Sequence, residues 1–250
     1  MDVSKFCEQG GREYNQDYAA FAEKNGKICV AVADGLGSYA GSEIASKTAV
    51  DFLISWFESA SSDDKCLTKK SVKDAVKAAH DEINKVKSSD PYLSSSCTTL
   101  ALVVSDGKTS VMAHVGDTRI YEIKNGKIYK TTKDHSLAQV AVDKGEISRS
   151  QIRNHKNQNK LLRVLGGAQY CEPDITTDFF ALEPGDGFLV CTDGLWEYVF
   201  DDEIEDVFAA KASAYDKIAA FKAFHDMRAS DGCDNYTAVV AIKENDSEES

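Results

Sequence analysis

Apolar residues recur along this chain in two rhythms, and the changes between them mark out its elements. Lys27 to Ala33 is a short run of β-forming apolar residues that stops at Asp34-Gly35. From Ser42 to Ala60 the period becomes helical, with Ile44, Ala45, Thr48, Ala49, Phe52, Leu53, Trp56 and Phe57 forming one apolar stripe. Ser71 to Lys87 predicts a second amphipathic helix carrying Val72, Ala75, Val76, Ala79, Ile83 and Val86 on one face, and Ser59 to Lys70 is a polar connection. The strand rhythm then returns. Cys97 to Ser105 and Thr109 to Val115 are joined by Asp106-Gly107, and Arg119 to Ile123 and Lys127 to Thr132 by Asn125-Gly126, each a hairpin signal. Asp134 to Leu165 is polar and weakly periodic, and reads as short helices and loops. Strands resume at Ile175 to Ala181 and Gly187 to Thr192, a helical stretch covers Asp201 to Ala229, and Tyr236 to Ile242 closes as a strand.

This order is not the alternation of a doubly wound α/β fold. It predicts an α+β arrangement of antiparallel sheets covered by helices. With no internal repeat and no interior linker, one domain is expected over residues 1–243, followed by an acidic, disordered tail at 244–250.

Composition narrows the function more than the fold. The 250 residues are 42% hydrophobic and 28% charged, ordinary for a globular chain able to bury a sizeable core. Acidic residues outnumber basic ones 41 to 29, a formal charge of -12, which argues against a nucleic-acid partner. The same charge suits solubility or the gathering of divalent cations. No apolar run reaches the roughly 18 residues of a membrane span, and Met1 to Gln9 does not resemble a signal peptide. A cytoplasmic protein with no membrane partner is expected. The seven cysteines are odd in number and lack zinc-site or redox-pair spacing, which favours reduced core thiols over a disulfide framework.

The candidate chemistry lies in carboxylates. Asp-Gly occurs five times, at Asp34, Asp106, Asp186, Asp193 and Asp231, so the dipeptide alone says little. Asp34 and Asp193 differ from the rest, because each follows a buried apolar strand and opens an Asp-Gly-Leu turn. Asp117, between the runs ending at Val115 and starting at Arg119, and Asp234, just before the closing strand, share that setting. Taken singly, each aspartate reads rather as the polar end of a strand, and only the set together weakens that reading. Brought together they would repel and raise one another's pKa, and such a set of hard oxygen ligands suits Mg²⁺ or Mn²⁺.

The motifs Gly11-Arg12-Glu13-Tyr14-Asn15-Gln16-Asp17, Val32-Ala33-Asp34-Gly35-Leu36-Gly37, Val115-Gly116-Asp117-Thr118-Arg119, Cys191-Thr192-Asp193-Gly194-Leu195 and Asp234-Asn235-Tyr236-Thr237 follow one another along nearly the whole chain. In type, order and spacing they resemble the PPM family, the metal-dependent type 2C protein phosphatases. Asp134-His135-Ser136-Leu137 and the segment from Asn159 to Gly167 resemble its stand-alone bacterial branch. The resemblance implies a four-layer αββα sandwich and hydrolysis of phosphoserine and phosphothreonine on proteins by direct attack of a metal-bridging hydroxide. It implies two core Mn²⁺ or Mg²⁺ ions bridged by Asp34, with the Gly35 carbonyl on one and Asp193 and Asp234 on the other. Asp17 would act through bound water, and Asp117 would join Asp193 at a third, weaker ion. Arg12 fits as the phosphate clamp, since a guanidinium fork matches phosphate oxygens. Asp34 and Asp193 thus count as catalytic alongside Arg12.

Two positions depart from the family pattern. Leu36 stands where many eukaryotic relatives carry a histidine proposed as general acid, which leaves the proton donor to water or to another group such as His155. Gln16 stands where Glu is frequent, removing one charge near the metals. Residues 143–158 correspond to the family's flap, basic here through Lys144, Arg149, Arg153, His155 and Lys156, either to guide substrate or as a solvated loop. By analogy with the family, the expected partners are a phosphorylated protein and an opposing Ser/Thr kinase, and a monomer is expected. The rival readings are a phosphatase of a partner-switching cascade and a catalytically weak PPM-like binding module. Loss of a core aspartate would mark the latter, yet Asp34, Asp193 and Asp234 are all present.

Overall fold

The computed structural model describes residues 1–36, 41–62 and 64–244, so the acidic tail expected at the C-terminus lies, beyond Glu244, outside the described residues. β3 (Lys27–Asp34) explains its own uninterrupted apolar run, because both of its faces are covered. Ile28, Val30 and Val32 enter one core, while Cys29, Ala31 and Ala33 enter another. β4 (Leu100–Ser105) divides in the same way, Ala101 and Val103 against Leu100, Leu102 and Val104. In the facing sheet, Phe188 and Val190 of β9 (Gly187–Cys191) and Val239 and Ala241 of β10 (Tyr236–Ile242) point to the same inner core. Strands buried on both faces lose the apolar/polar alternation of half-exposed ones.

The remaining strands are β1 (Asp2–Glu8), β2 (Asp17–Lys24), β5 (Ser110–Val115), β6 (Arg119–Lys124), β7 (Lys127–Thr131) and β8 (Asp174–Asp178). They complete two five-stranded sheets, ordered β1-β10-β9-β6-β7 and β2-β3-β4-β5-β8. All strand pairs are antiparallel. α1 (Ser42–Ala60) and α2 (Lys69–Ser89) cover the second sheet through Leu53, Phe57, Val72, Val76 and Ile83. α5 (Asp201–Ala209) and α6 (Ala214–Arg228) cover the first through Ile204, Phe208, Ile218 and Phe221. The result is the four-layer αββα sandwich. Two short helices, α3 (Leu137–Asp143) and α4 (Asp193–Trp196), lie outside these pairs in the chain.

Several elements differ from their sequence reading. β1 and β2 were not predicted at all. The stripe of α1 is rotated, with Val50 buried and Ile44 left 38% exposed. The single helical stretch from Asp201 to Ala229 is two helices, and β8 stops at Asp178 rather than Ala181. All seven cysteines are free thiols. Among the described residues no helix is long and apolar enough to cross a membrane.

Candidate active site

Antiparallel pairing sends the tight hairpins to one end of the sandwich and the chemistry-bearing loops to the other. Asn25-Gly26 and Asn125-Gly126 turn with positive φ at both residues, at the far end. At the near end β2 begins at Asp17 directly opposite Asp34, where β3 stops. The β5–β6 turn holds Asp117, β9 leads through Thr192 into Asp193, and Asp234 lies two residues before β10. Strands from both sheets therefore deliver five aspartates to one place.

A cleft of about 640 Å³ opens there, lined by Arg12, Gln16, Asp34, Gly35, Leu36, Asp117, Asp193 and Asp234, with Lys87, Asn159 and Leu161 along its walls. Asp17 stands just behind it, 4% exposed and outside the lining. Burial first, and then the facing carboxylates, raise the acids' pKa values: Asp17 to about 7 and Asp193 to about 6, with Asp34 and Asp117 well above the usual range. Glu197 is likewise raised, to about 8, by burial and by Asp193 and Asp234.

Backbone and hydroxyl groups hold this arrangement. The Asp34 N–H donates to Thr99 Oγ1 (2.9 Å), and the Thr98 hydroxyl donates to the Asp34 carbonyl (2.9 Å). Gly35 is pressed between the Ser42 and Gln16 carbonyls, where a Cβ would collide with backbone, and its N–H donates to Gln16 O (3.0 Å). Thr192 Oγ1 donates to Asp17 Oδ2 (2.8 Å). The Trp196 indole N–H donates to the Asp117 carbonyl (2.9 Å), and Arg119 lies 3.6 Å over the same indole while pairing with Asp134 through two nitrogens (2.8 and 2.7 Å). Asn235 ties the Arg12 loop to β10, accepting from Gln16 N–H (2.9 Å) and donating to the Gln9 (2.7 Å) and Tyr14 (2.9 Å) carbonyls. Arg12 Nη2 reaches Asp234 Oδ2 at 2.7 Å.

Within this cluster two carboxylate oxygens, Asp17 Oδ1 and Asp117 Oδ1, are buried with no hydrogen-bond partner among the described residues. Buried, charged and unpartnered oxygens among other carboxylates are stable only with protons or cations beside them. An all-oxygen donor set of this kind fits Mg²⁺ or Mn²⁺.

The structure brings Arg12, Gly35, Asp34, Asp117, Asp193 and Asp234 to the cleft as the sequence led us to expect, and Asp17 to its rear. It does not bring His155 or the flap's lysines and arginines there. Arg153 is tied to Asp201 (3.1 Å) instead, and Gln158 to Glu197 (2.6 Å). Sequence reasoning missed the supporting roles of Thr99, Thr192 and Asn235. Asn235 alone had a usable signal, standing between Asp234 and a strand.

The profile of the family described as Protein phosphatase 2C matches residues 9–230. The serine/threonine phosphatase stp of Listeria welshimeri is 32% identical, covering 84% of this chain and 83% of its own. The crystal structure of the serine/threonine phosphatase Stp1 of Staphylococcus aureus shares the fold with a TM-score of 0.86, at 24% identity over 98% of this chain and 96% of that one. The catalytic domain of the serine/threonine protein phosphatase PstP, solved in complex with two manganese ions, superposes with a TM-score of 0.77 at 25% identity, covering 97% of this chain and 98% of that one. The chain belongs to the protein phosphatase 2C family.

Proposed function

We propose that a single phosphatase domain over residues 1–243 hydrolyses phosphoserine and phosphothreonine on proteins at the carboxylate cleft. Family membership makes the chain a protein serine/threonine phosphatase acting on phosphorylated proteins. The observation that carries the site assignment is the meeting of four carboxylates and Arg12 on one cleft, with a buried, unpartnered Asp117 oxygen among them. Asp34, the Gly35 carbonyl, Asp193 and Asp234 would hold two divalent ions, Asp17 would act through water, and Asp117 would serve a third ion beside Asp193. The PstP structure with manganese supports that choice of metal. Paired ions of this kind supply Lewis-acid charge and a water acidic enough to attack phosphorus at neutral pH.

The chain's own residues do the rest. Arg12, half exposed at the rim, orients the phosphoryl oxygens. Thr99 and Thr98 fix the backbone of Asp34, so its carboxylate needs no reorganisation. Leu36 borders the cleft but has no titratable proton, and His155 is absent from its lining, so neither protonates the leaving alkoxide. A serine or threonine phosphate on a protein is made by phosphoryl transfer to a hydroxyl, so a Ser/Thr kinase is the opposing activity.

The test is hydrolysis of a phosphothreonine peptide with Mn²⁺, with and without chelator, by the natural chain and by Asp34→Asn. Turnover is expected to require metal and to fall at least about 100-fold in the variant. Chelator-insensitive turnover, or full activity of the variant, overturns the metal assignment. A folded but inactive natural chain favours the binding-module reading instead.

A further inference from the structure

A second cluster lies beside the cleft and has no part in the chemistry above. His114, His135 and Asp174 bring ligand atoms within 4.8 Å of one another, a spacing a cation would accept. The hydrogen bonds argue against a cation. His135 Nδ1 accepts the Gly116 N–H (3.1 Å), so the proton of the neutral ring sits on Nε2, the nitrogen that would have to ligate. That Nε2 lies 3.3 Å from Asp174 Oδ2. The His114 and His135 rings stack at 4.5 Å and 19°, which aims their in-plane lone pairs side by side rather than at one point. The Arg163 guanidinium, 2.6 Å from Asp174 Oδ1 and 3.3 Å from His135 Nε2, already fills the cation's place.

The cluster is a hydrogen-bond chain, Arg163 to Asp174 to His135 to Gly116, and it ends one residue before Asp117. His135 grips Gly116 twice, because its own backbone N–H also donates to the Gly116 carbonyl (2.9 Å). On the other side, Gly116 holds φ +97 with the place of a Cβ only 2.6 Å from the Thr99 side chain, and Thr99 Oγ1 meets Thr118 Oγ1 at 2.6 Å. Asp117 Oδ1 has no partner of its own, so the backbone of the turn sets where that oxygen points.

We propose that His135 and Asp174 are positioning residues that aim Asp117 at the cleft and thereby set the affinity of the weakest metal site. The inference rests on the reading of Asp117 as a ligand of a third ion. Arg163 extends the chain to the cleft wall, since Asn159, Leu161, Val164 and Gly167 of the same segment line the cleft.

The experiment is calorimetric Mn²⁺ titration of metal-stripped protein, together with amide exchange at Gly116. His135→Ala and Asp174→Asn are expected to weaken the weakest binding step about 10- to 100-fold, the range for groups that orient metal ligands. The tighter steps stay unchanged, and Gly116 exchange accelerates in both variants. His135→Asn, whose side-chain oxygen can take the place of Nδ1, should recover part of the lost affinity. If His135→Ala does not fold, Asp174→Asn, altered at a half-exposed carboxylate, carries the test. Asp117→Asn separates the two ideas. If it leaves every binding step intact, the reading of Asp117 is wrong and the inference goes with it. If it abolishes the weak step while His135→Ala and Asp174→Asn leave that step and Gly116 exchange within twofold, the positioning role alone is overturned.

Discussion

Asn235 holds three backbone groups of the loop from Gln9 to Gln16 at once, and that loop carries Arg12 to the rim of the cleft. Among the described residues the Arg12 guanidinium pairs with Asp234 alone, the two side chains 53% and 40% exposed, an arrangement that adds little stability. Such a pair is easily exchanged: were Asp234 to engage a cation, as proposed, the guanidinium would be free to take a phosphate. Arg12→Ala should therefore raise the KM for a phosphothreonine peptide about tenfold or more, the loss of one or two charged hydrogen bonds, with a smaller change in kcat. Steady-state kinetics decide it, and an unchanged KM removes Arg12 from phosphate binding. The proposed site residues were legible because Asp34, Asp117, Asp193 and Asp234 each sit in a recognisable motif at or next to a strand end, and Arg12 in a motif of the loop between β1 and β2. Thr99 and Thr192 were not, because a threonine that orients a carboxylate looks the same in sequence as one that fills a strand.

Among the elements, β3, β4, β9 and β10 were readable because two-sided burial makes a strand apolar throughout. β1 and β2 were not. β1 is an edge strand, half-buried along most of its length, and β2 spells Asp-Tyr-Ala-Ala-Phe-Ala-Glu-Lys, rich in helix formers. Eight register pairs with β3 override that propensity, and the Asn25-Gly26 turn between them carries the signal that located the later hairpins. The break between α5 and α6 has no glycine or proline to announce it. Ser213 caps α6 by accepting from the Asp216 N–H (3.1 Å), and Lys217, only 2% exposed, folds back to donate to the carbonyls of Val207 (2.9 Å) and Ala210 (2.6 Å) at the end of α5. A lysine from one helix thus closes the other. Lys217→Met should leave those buried carbonyls without a donor and cost about 1–3 kcal/mol in denaturant unfolding. It should leave kcat unchanged, since the site lies at the opposite end of the sheet. A loss below about 0.5 kcal/mol, the scale of an ordinary surface change, contradicts the capping role.

Taken whole, a chain of net charge -12 concentrates part of its acid at one end of its sandwich, where burial and mutual repulsion resist ionisation. The sign of the consequence for stability follows from linkage. Asp17, raised from 3.8 to about 7, and Asp193, raised to about 6, keep protons in the folded chain that the unfolded chain has already released. Their contribution is therefore fully present below about pH 4 and is lost as pH rises toward 7. Acids drawn down by lysines, such as Glu205 beside Lys127, act in the opposite sense and lose their contribution as pH falls through the acid range. The aspartates' own share of the stability of chelator-treated protein should then fall between pH 5 and 7.5, against the buried histidines His80, His114, His135 and His225, whose lowered pKa values add stability over the same interval. Divalent ions bind the ionised carboxylates and stabilise only the folded chain, so the increase in Tm on adding Mn²⁺ should grow across the same interval. Asp34→Asn, with one fewer charge in the cluster, should flatten both trends. Scanning calorimetry at fixed ionic strength measures them. A Tm difference between the stripped natural chain and stripped Asp34→Asn that does not fall from pH 5 to 7.5 means that the aspartates do not repel one another as their shared burial requires.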